Sequence, residues 1–100
     1  MKKTEYTINS ILKDQLKSIP PSSGIYMMLN AKGDVIYIGK AVNLKIRVKS
    51  YFNIKSWNTR PKLYFMMPKV AEVKTVVTRT ETEALILEAN LVNKHQPKYM

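Results

Sequence analysis

The sequence predicts an α+β fold, a small three-stranded antiparallel sheet flanked by helices. Three observations lead there. Two short apolar and aromatic runs, 24–29 and 35–38, are joined by Asn-Ala-Lys-Gly-Asp, a composition suited to a hairpin turn. A third run at 73–78 is rich in β-branched residues. Most other apolar residues recur at helical rather than alternating spacing. With 100 residues and 45% hydrophobic content, residues 1–100 read as a single domain with one modest core.

The elements follow in order. Ile8, Ile11, Leu12, Leu16 and Ile19 have helical spacing behind a cap at Thr7, so a helix is expected over 7–18, stopped by Pro20 and Pro21. After the hairpin, Asn43 is placed to cap a helix over 43–52. Leu44, Val48, Tyr51 and Phe52 share one face of it, with Lys45 and Lys49 pointing away. Residues 59–67 read as a short helix entered through Pro61 and ended or kinked at Pro68. Thr80 and Glu83 match a capping box that opens a helix over 81–95, before Pro97.

Charge narrows the function. Seventeen Lys and Arg against seven Asp and Glu give a net charge of +10, which favours a polyanionic partner, nucleic acid or, as the rival, a membrane surface. No apolar run approaches the roughly 20 residues that span a bilayer, and the N-terminus lacks the apolar core of a signal peptide. A cytoplasmic monomer with no membrane partner is expected. Cysteine is absent and histidine occurs once, which excludes thiol chemistry and cysteine-based or multi-histidine metal sites. Any metal must sit on oxygen.

Several residues stand out against that background. On a wheel of the last helix, Ala84, Leu85, Leu87, Leu91 and Val92 form an apolar arc with Glu88 near its centre. A carboxylate there needs an arginine, a lysine or a cation as partner, and a structural ion pair would serve as well as a metal. His95 ends the same arc, where a histidine more often favours the helix dipole than catalyses. Arg47 borders the apolar face of the basic helix and is placed either to enter a site or to remain a surface charge. Lys40, after a turn at Gly39 and before a helix N-terminus, could attract phosphate. Tyr26 and Tyr37 lie on adjacent strands and are either a packed aromatic pair or phenols activated by a nearby cation.

Gly24-Ile25-Tyr26 and Tyr37-Ile38-Gly39, with "GKAVNLKIRVKSYF" and "ETEALILEANLVNKHQPKY" downstream, resemble the GIY-YIG nuclease superfamily, and within it the UvrC-type excision-repair domains. The resemblance covers about residues 19–99. It implies a divalent-metal-dependent endonuclease domain that hydrolyses a DNA phosphodiester, with one Mg²⁺ or Mn²⁺ held by Glu88. Arg47 would stabilise the phosphate transition state, Tyr37 would activate or relay protons from the attacking water, and Tyr26 and Lys40 would orient water and phosphate. Gly39 would admit a close backbone approach. Tyr51, Asn43, Lys45 and Lys49 would support the pocket or substrate. Implied partners are DNA, further domains of the same protein and UvrB-like repair proteins. The family usually continues Pro-Lys-Tyr-Asn where Met100 stands here, and Pro68 interrupts a segment that is normally continuous helix. The chain reads as an excised domain or a small relative. A noncatalytic basic nucleic-acid-binding module, and a stand-alone nuclease of the superfamily with another DNA target, are the alternatives.

Overall fold

The computed structural model describes residues 8–100. A three-stranded antiparallel sheet is formed by β1 (Gly24–Leu29), β2 (Val35–Ala41) and β3 (Glu72–Val77), in the order β2-β1-β3 with β1 central. The helices are α1 (Ser10–Lys17), α2 (Leu44–Tyr51), α3 (Lys62–Met66) and α4 (Glu81–His95). Short 3₁₀ turns, Ile54–Asn58 and Met67–Lys69, flank α3. This is the α+β architecture expected. No helix among the described residues is long and apolar enough to cross a membrane.

Local chemistry explains the ends of these elements. The hairpin closes because Asn30 Oδ1 accepts from the amides of Lys32 and Asp34 while Gly33 takes a φ of 89°, a left-handed conformation that glycine adopts without a Cβ penalty. Asn43 caps α2 by accepting from Ile46 N, and Thr80 caps α4 by accepting from Glu83 N. Glu83 returns the interaction one residue earlier than a capping box would, to the amide of Arg79.

Several boundaries depart from expectation. Residue 7 lies outside the described residues, so the cap expected there does too; Asn9 caps α1, accepting from Leu12 N at 2.7 Å. Ile11 is exposed, whereas Leu12, Leu16 and Ile19 are buried and Ile8 packs half-buried against the same core. β2 continues through Ala41, so Gly39 and Lys40 sit in a paired strand and not in a turn before a helix. The sheet is extended there because Gly24, Ile25 and Tyr26 of β1 supply partners for Ala41, Lys40 and Gly39. The helix expected over 59–67 is shortened to α3, because Pro61 at its N-cap and Pro68 beyond it break the amide ladder on both sides. Leu85 is exposed and Leu87, Leu91 and Val92 are half-buried, so the apolar arc of α4 meets the sheet through Ala84 and its neighbours rather than through Leu85.

The strand alternation splits the core across two faces. On one, Tyr26, Met28 and Val73 pack with Leu12, Leu16, Leu44, Val48, Tyr51, Trp57, Leu63, Met66 and Met67. On the other, Ile25 and Ile38 pack with Ala84 of α4. The first face holds the larger side chains, and Trp57 anchors it, fully buried with its indole N–H donating to the Tyr51 carbonyl at 2.8 Å. Truncating such a residue costs about 3–5 kcal/mol.

Gly24 marks where this packing is tightest. A methyl group on its Cα would overlap the backbone oxygen of Val76 and crowd Leu44, and the oxygen cannot rotate away. Gly24→Ala is expected to destabilise the fold by about 1–3 kcal/mol, as overpacking does. Urea unfolding of the two proteins checks this, and equal midpoints would contradict it.

Candidate active site

Sheet register assembles the first part of the site. Tyr26 pairs with Gly39, and Tyr37 pairs with Met28, so the two tyrosines stand on the same face of adjacent strands, with ring centroids 6.2 Å apart. The ring of Tyr26 leans into the room that Gly39 leaves: a Cβ on Gly39 would collide with the Tyr26 ring and hydroxyl. The close approach at Gly39 is therefore made by a side chain of this protein.

α2 brings the third phenol. Its buried face carries Leu44, Val48 and Tyr51, and Tyr51 lies 5.6 Å from the Tyr26 ring and 5.8 Å from that of Tyr37. The three hydroxyls are joined. Tyr26 Oη and Tyr51 Oη are 2.7 Å apart, and Tyr51 donates to Tyr37 Oη at 3.3 Å. A fully buried phenol needs such a partner, because an unsatisfied buried hydroxyl costs about 1–3 kcal/mol.

Cations surround the trio. The Arg47 guanidinium lies 5.4 Å from the centre of the Tyr51 ring and also bonds to Tyr26, which strengthens its own hold on its proton. Arg60, in the turn before α3, lies closer still, 4.6 Å from the same ring centre. Lys62 Nζ stands 5.1 Å from the centre of the Tyr37 ring while donating to the Tyr99 carbonyl at 3.0 Å. The sequence pattern did not single out Arg60, Lys62 or Trp57. They lie in or between helical pieces of at most five residues, too short for a period to reveal a facing direction, and the signal available was only the cationic Arg-Pro-Lys at the start of a helix.

Burial and these contacts divide the three phenols. Tyr26 is raised above the ordinary phenol range, by burial first and then by its hydrogen bond to Tyr51. Burial and the Tyr51 hydrogen bond likewise push Tyr37 up to about 12, although Arg60 and Arg47 pull the other way. Tyr51 behaves differently. Burial opposes its ionisation too, but its hydrogen bonding with Tyr26 and Tyr37 and the nearby Arg60 guanidinium, with the charge of Arg47, outweigh it and hold Tyr51 below its usual value. Of the three phenols, Tyr51 is the one whose ionised form its surroundings favour.

The other expected residues lie around this cluster. Glu88 is half-buried on α4, which packs against β2 and β1, and makes no ion pair among the described residues, where the single pair is Arg79–Glu83. Lys40 is exposed and lines a cavity of about 120 Å³ with Ala41, Val42, Glu81 and Ala84 of the same α4 side, one helical turn from Glu88. No hydrogen bond or ion pair links Glu88 or Lys40 to the tyrosines. Asn43 spends its side-chain oxygen on capping α2, Lys49 is exposed, and Lys45 is half-buried where full exposure was expected. His95 is exposed at the end of α4.

A glycine-relieved phenol trio with two guanidiniums against it, and on α4 a half-buried carboxylate that makes no ion pair among the described residues, are the groups that this fold offers for acid–base and cation chemistry. The profile of the UvrC-like GIY-YIG domain matches residues 22–100, and the chain belongs to that family. UvrABC system protein C of Nitrosococcus oceani is 46% identical over 91 residues, which are 91% of this chain and 15% of the relative. The Chlamydia pneumoniae protein of the same name is 50% identical over 84 residues, 84% of this chain and 14% of that one. The chain thus spans a small part of the curated relatives it matches. Among solved structures, the GIY-YIG N-terminal endonuclease domain of UvrC from Thermotoga maritima, bound to magnesium as its catalytic divalent cation, superposes with a TM-score of 0.79 at 37% identity, covering 92% of this chain and 98% of that one. Tyrosine-to-phenylalanine variants of that domain, also bound to the catalytic cation, superpose equally well.

The raised phenols make stability pH-dependent with a definite sign. Below the unfolded value of 10.0, Tyr37 is protonated in both states and its contribution is whole; it is lost as pH climbs through about 12. The melting temperature should therefore fall across that window, and Tyr37→Phe should make the fall shallower. Parallel melting curves from pH 9 to about pH 12 test this, and identical slopes would refute it.

Proposed function

We propose that this chain is a divalent-metal-dependent DNA endonuclease domain that hydrolyses a phosphodiester bond. The observation that carries the reading is the hydrogen-bonded trio Tyr26–Tyr51–Tyr37 with Arg47 and Arg60 against it. Aromatic packing alone has no use for three joined hydroxyls beneath two guanidiniums. Family membership and the 37% identity to a magnesium-bound endonuclease domain support the same reading.

The residues present fit a hard divalent cation. Mg²⁺ and Mn²⁺ are held by one or two carboxylates and keep several waters, and Glu88 is a half-buried carboxylate without an ion-pair partner among the described residues. No group of three or more His, Cys, Asp and Glu forms an all-protein cage among those residues. Glu88 would hold the cation, which when bound supplies a Lewis acid that acidifies water and neutralises phosphate charge. The Tyr→Phe variants of the Thermotoga domain that carry the cation fit a division of labour in which the phenols handle protons.

The chain's own groups then have distinct tasks. Tyr51 is the phenol whose surroundings most favour ionisation; in its phenolate form it takes the Tyr37 hydroxyl proton and becomes neutral, as Tyr37 takes a proton from the attacking water. Tyr26, hydrogen-bonded to Tyr51 at 2.7 Å, fixes its direction. Arg47 stabilises the charge that grows on the phosphate oxygens, and Lys40 on the α4 side neutralises the approaching backbone. Asn43 supports the site by capping α2, while Lys45 and Lys49 extend the basic surface along that helix. Because the relatives are proteins of the UvrABC system, the reading extends to 3′ incision in nucleotide excision repair. It places the domain in the cytoplasm as a monomer, working with further domains and a UvrB-like partner.

Two measurements test this proposal. Glu88→Gln should keep DNA binding and the apo melting temperature, yet abolish nicking of supercoiled plasmid and the rise in melting temperature that Mn²⁺ produces in the parent. A variant that still nicks in a metal-dependent way, or one that is destabilised by the roughly 3–5 kcal/mol of a broken buried ion pair, sinks the metal-ligand assignment. The net charge of +10 predicts binding dominated by counterion release. Affinity for duplex DNA should drop at least about tenfold between roughly 50 and 200 mM salt, and a flat response in a filter-binding titration would contradict it.

A further inference from the structure

Arg47 has a counterpart that no sequence motif announces. The turn at 59–61 carries Arg60 to within 4.6 Å of the Tyr51 ring centre, nearer than Arg47 at 5.4 Å. Two guanidiniums on one phenol repel each other, and no carboxylate among the described residues pairs with either, since the only ion pair there is Arg79–Glu83. The two cations therefore share the Tyr51 ring as their common partner. The chain around Arg60 is also braced. Trp57, three residues before it, is fully buried and tied to the Tyr51 carbonyl, and Arg60 N donates to the Trp57 carbonyl at 3.2 Å. Pro61, with φ −54°, then fixes the exit into α3.

We propose that Arg60 is a positioning residue of the site: laid on the Tyr51 ring by the Trp57–Pro61 brace, it fixes the Tyr51 hydroxyl as the point where the three-phenol chain gathers negative charge. The groups that face this chain are Tyr26 from β1, Tyr37 from β2, Arg47 from α2, Arg60 from the turn, and Lys62 of α3 over Tyr37. Arg60, 4.6 Å from the Tyr51 ring centre, favours the ionised form of Tyr51 and, through space, that of Tyr37, so both working phenols feel it. Because the three hydroxyls exchange hydrogen bonds, they titrate as a unit, and one cation on the central member governs where the first proton leaves. The catalytic consequence rests on the nuclease reading above; the effect on the phenols does not.

The test follows each of the six tyrosines separately by ¹³Cζ NMR as pH is raised, in the parent, Arg60→Gln and Arg60→Lys. Arg60→Gln is expected to move the Tyr51 titration upward by about one unit, the scale of losing an opposite charge within about 4–6 Å. Arg60→Lys should recover part of that shift, and Tyr64, outside the trio, should not move. In parallel, nicking kcat should fall at least about tenfold in Arg60→Gln, with KM for DNA little changed, as for a misplaced proton acceptor. A Tyr51 titration that stays put in both variants overturns the proposal, as does a change confined to KM, which would make Arg60 a phosphate contact. If Arg60→Gln does not fold, Arg60→Met keeps the packing without the charge and is titrated instead. A parent that never nicks DNA while the Tyr51 shift appears as expected would refute the nuclease reading and support the role of Arg60.

Discussion

The hydrogen bond between Tyr26 and Tyr51 is the interaction on which the rest of the site depends. It joins the central strand to α2 at a point where both phenols are fully buried, so neither hydroxyl can fall back on water. Breaking it takes the shortest bond from the buried Tyr26 hydroxyl and leaves Tyr51 only the longer one to Tyr37 among the phenols, and the large side chains of that face pack around it. Gly39 makes room for the Tyr26 ring, and Trp57 secures the Tyr51 carbonyl. Structure and chemistry share these atoms: the bond that closes the core also sets which phenol is the better acid.

That sharing explains why three residues of one type can differ in role. All three rings are buried enough to resist ionisation, and burial alone would push each upward. Tyr51 departs from the others because it sits in the middle, hydrogen-bonded to a phenol on each side and with two guanidiniums against its ring. Tyr26 and Tyr37, at the ends of the chain, gain little and lose solvation. Position within the network decides the order.

The carboxylate belongs to a different layer. α4 covers the opposite face of the sheet through Ala84, and Glu88 is held half-buried where the helix passes β2. A charge kept there without an ion pair among the described residues is poorly placed for stability alone.

The sequence by itself determined the class of fold and much of the cast. The Asn-Ala-Lys-Gly-Asp turn, the β-branched third strand and the caps at Asn43 and Thr80 are local chemistry, readable because each depends on residues a few positions apart. The two triplets, with Arg47, Tyr51 and Glu88 downstream, point to the family for the same reason: they are patterns along the chain. Tertiary structure alone decided the rest. Whether Tyr26 and Tyr37 share a face depends on strand register, which periodicity does not specify. The extension of β2 through Gly39 and Lys40 depends on partners in β1, and the exposure of Leu85 and Ile11 on how far each helix rolls against the sheet. Arg60 and Lys62 were out of reach altogether, because their positions are set by contacts across long stretches of chain, with Tyr51, Tyr37 and Tyr99, and no local rule encodes a contact of that kind.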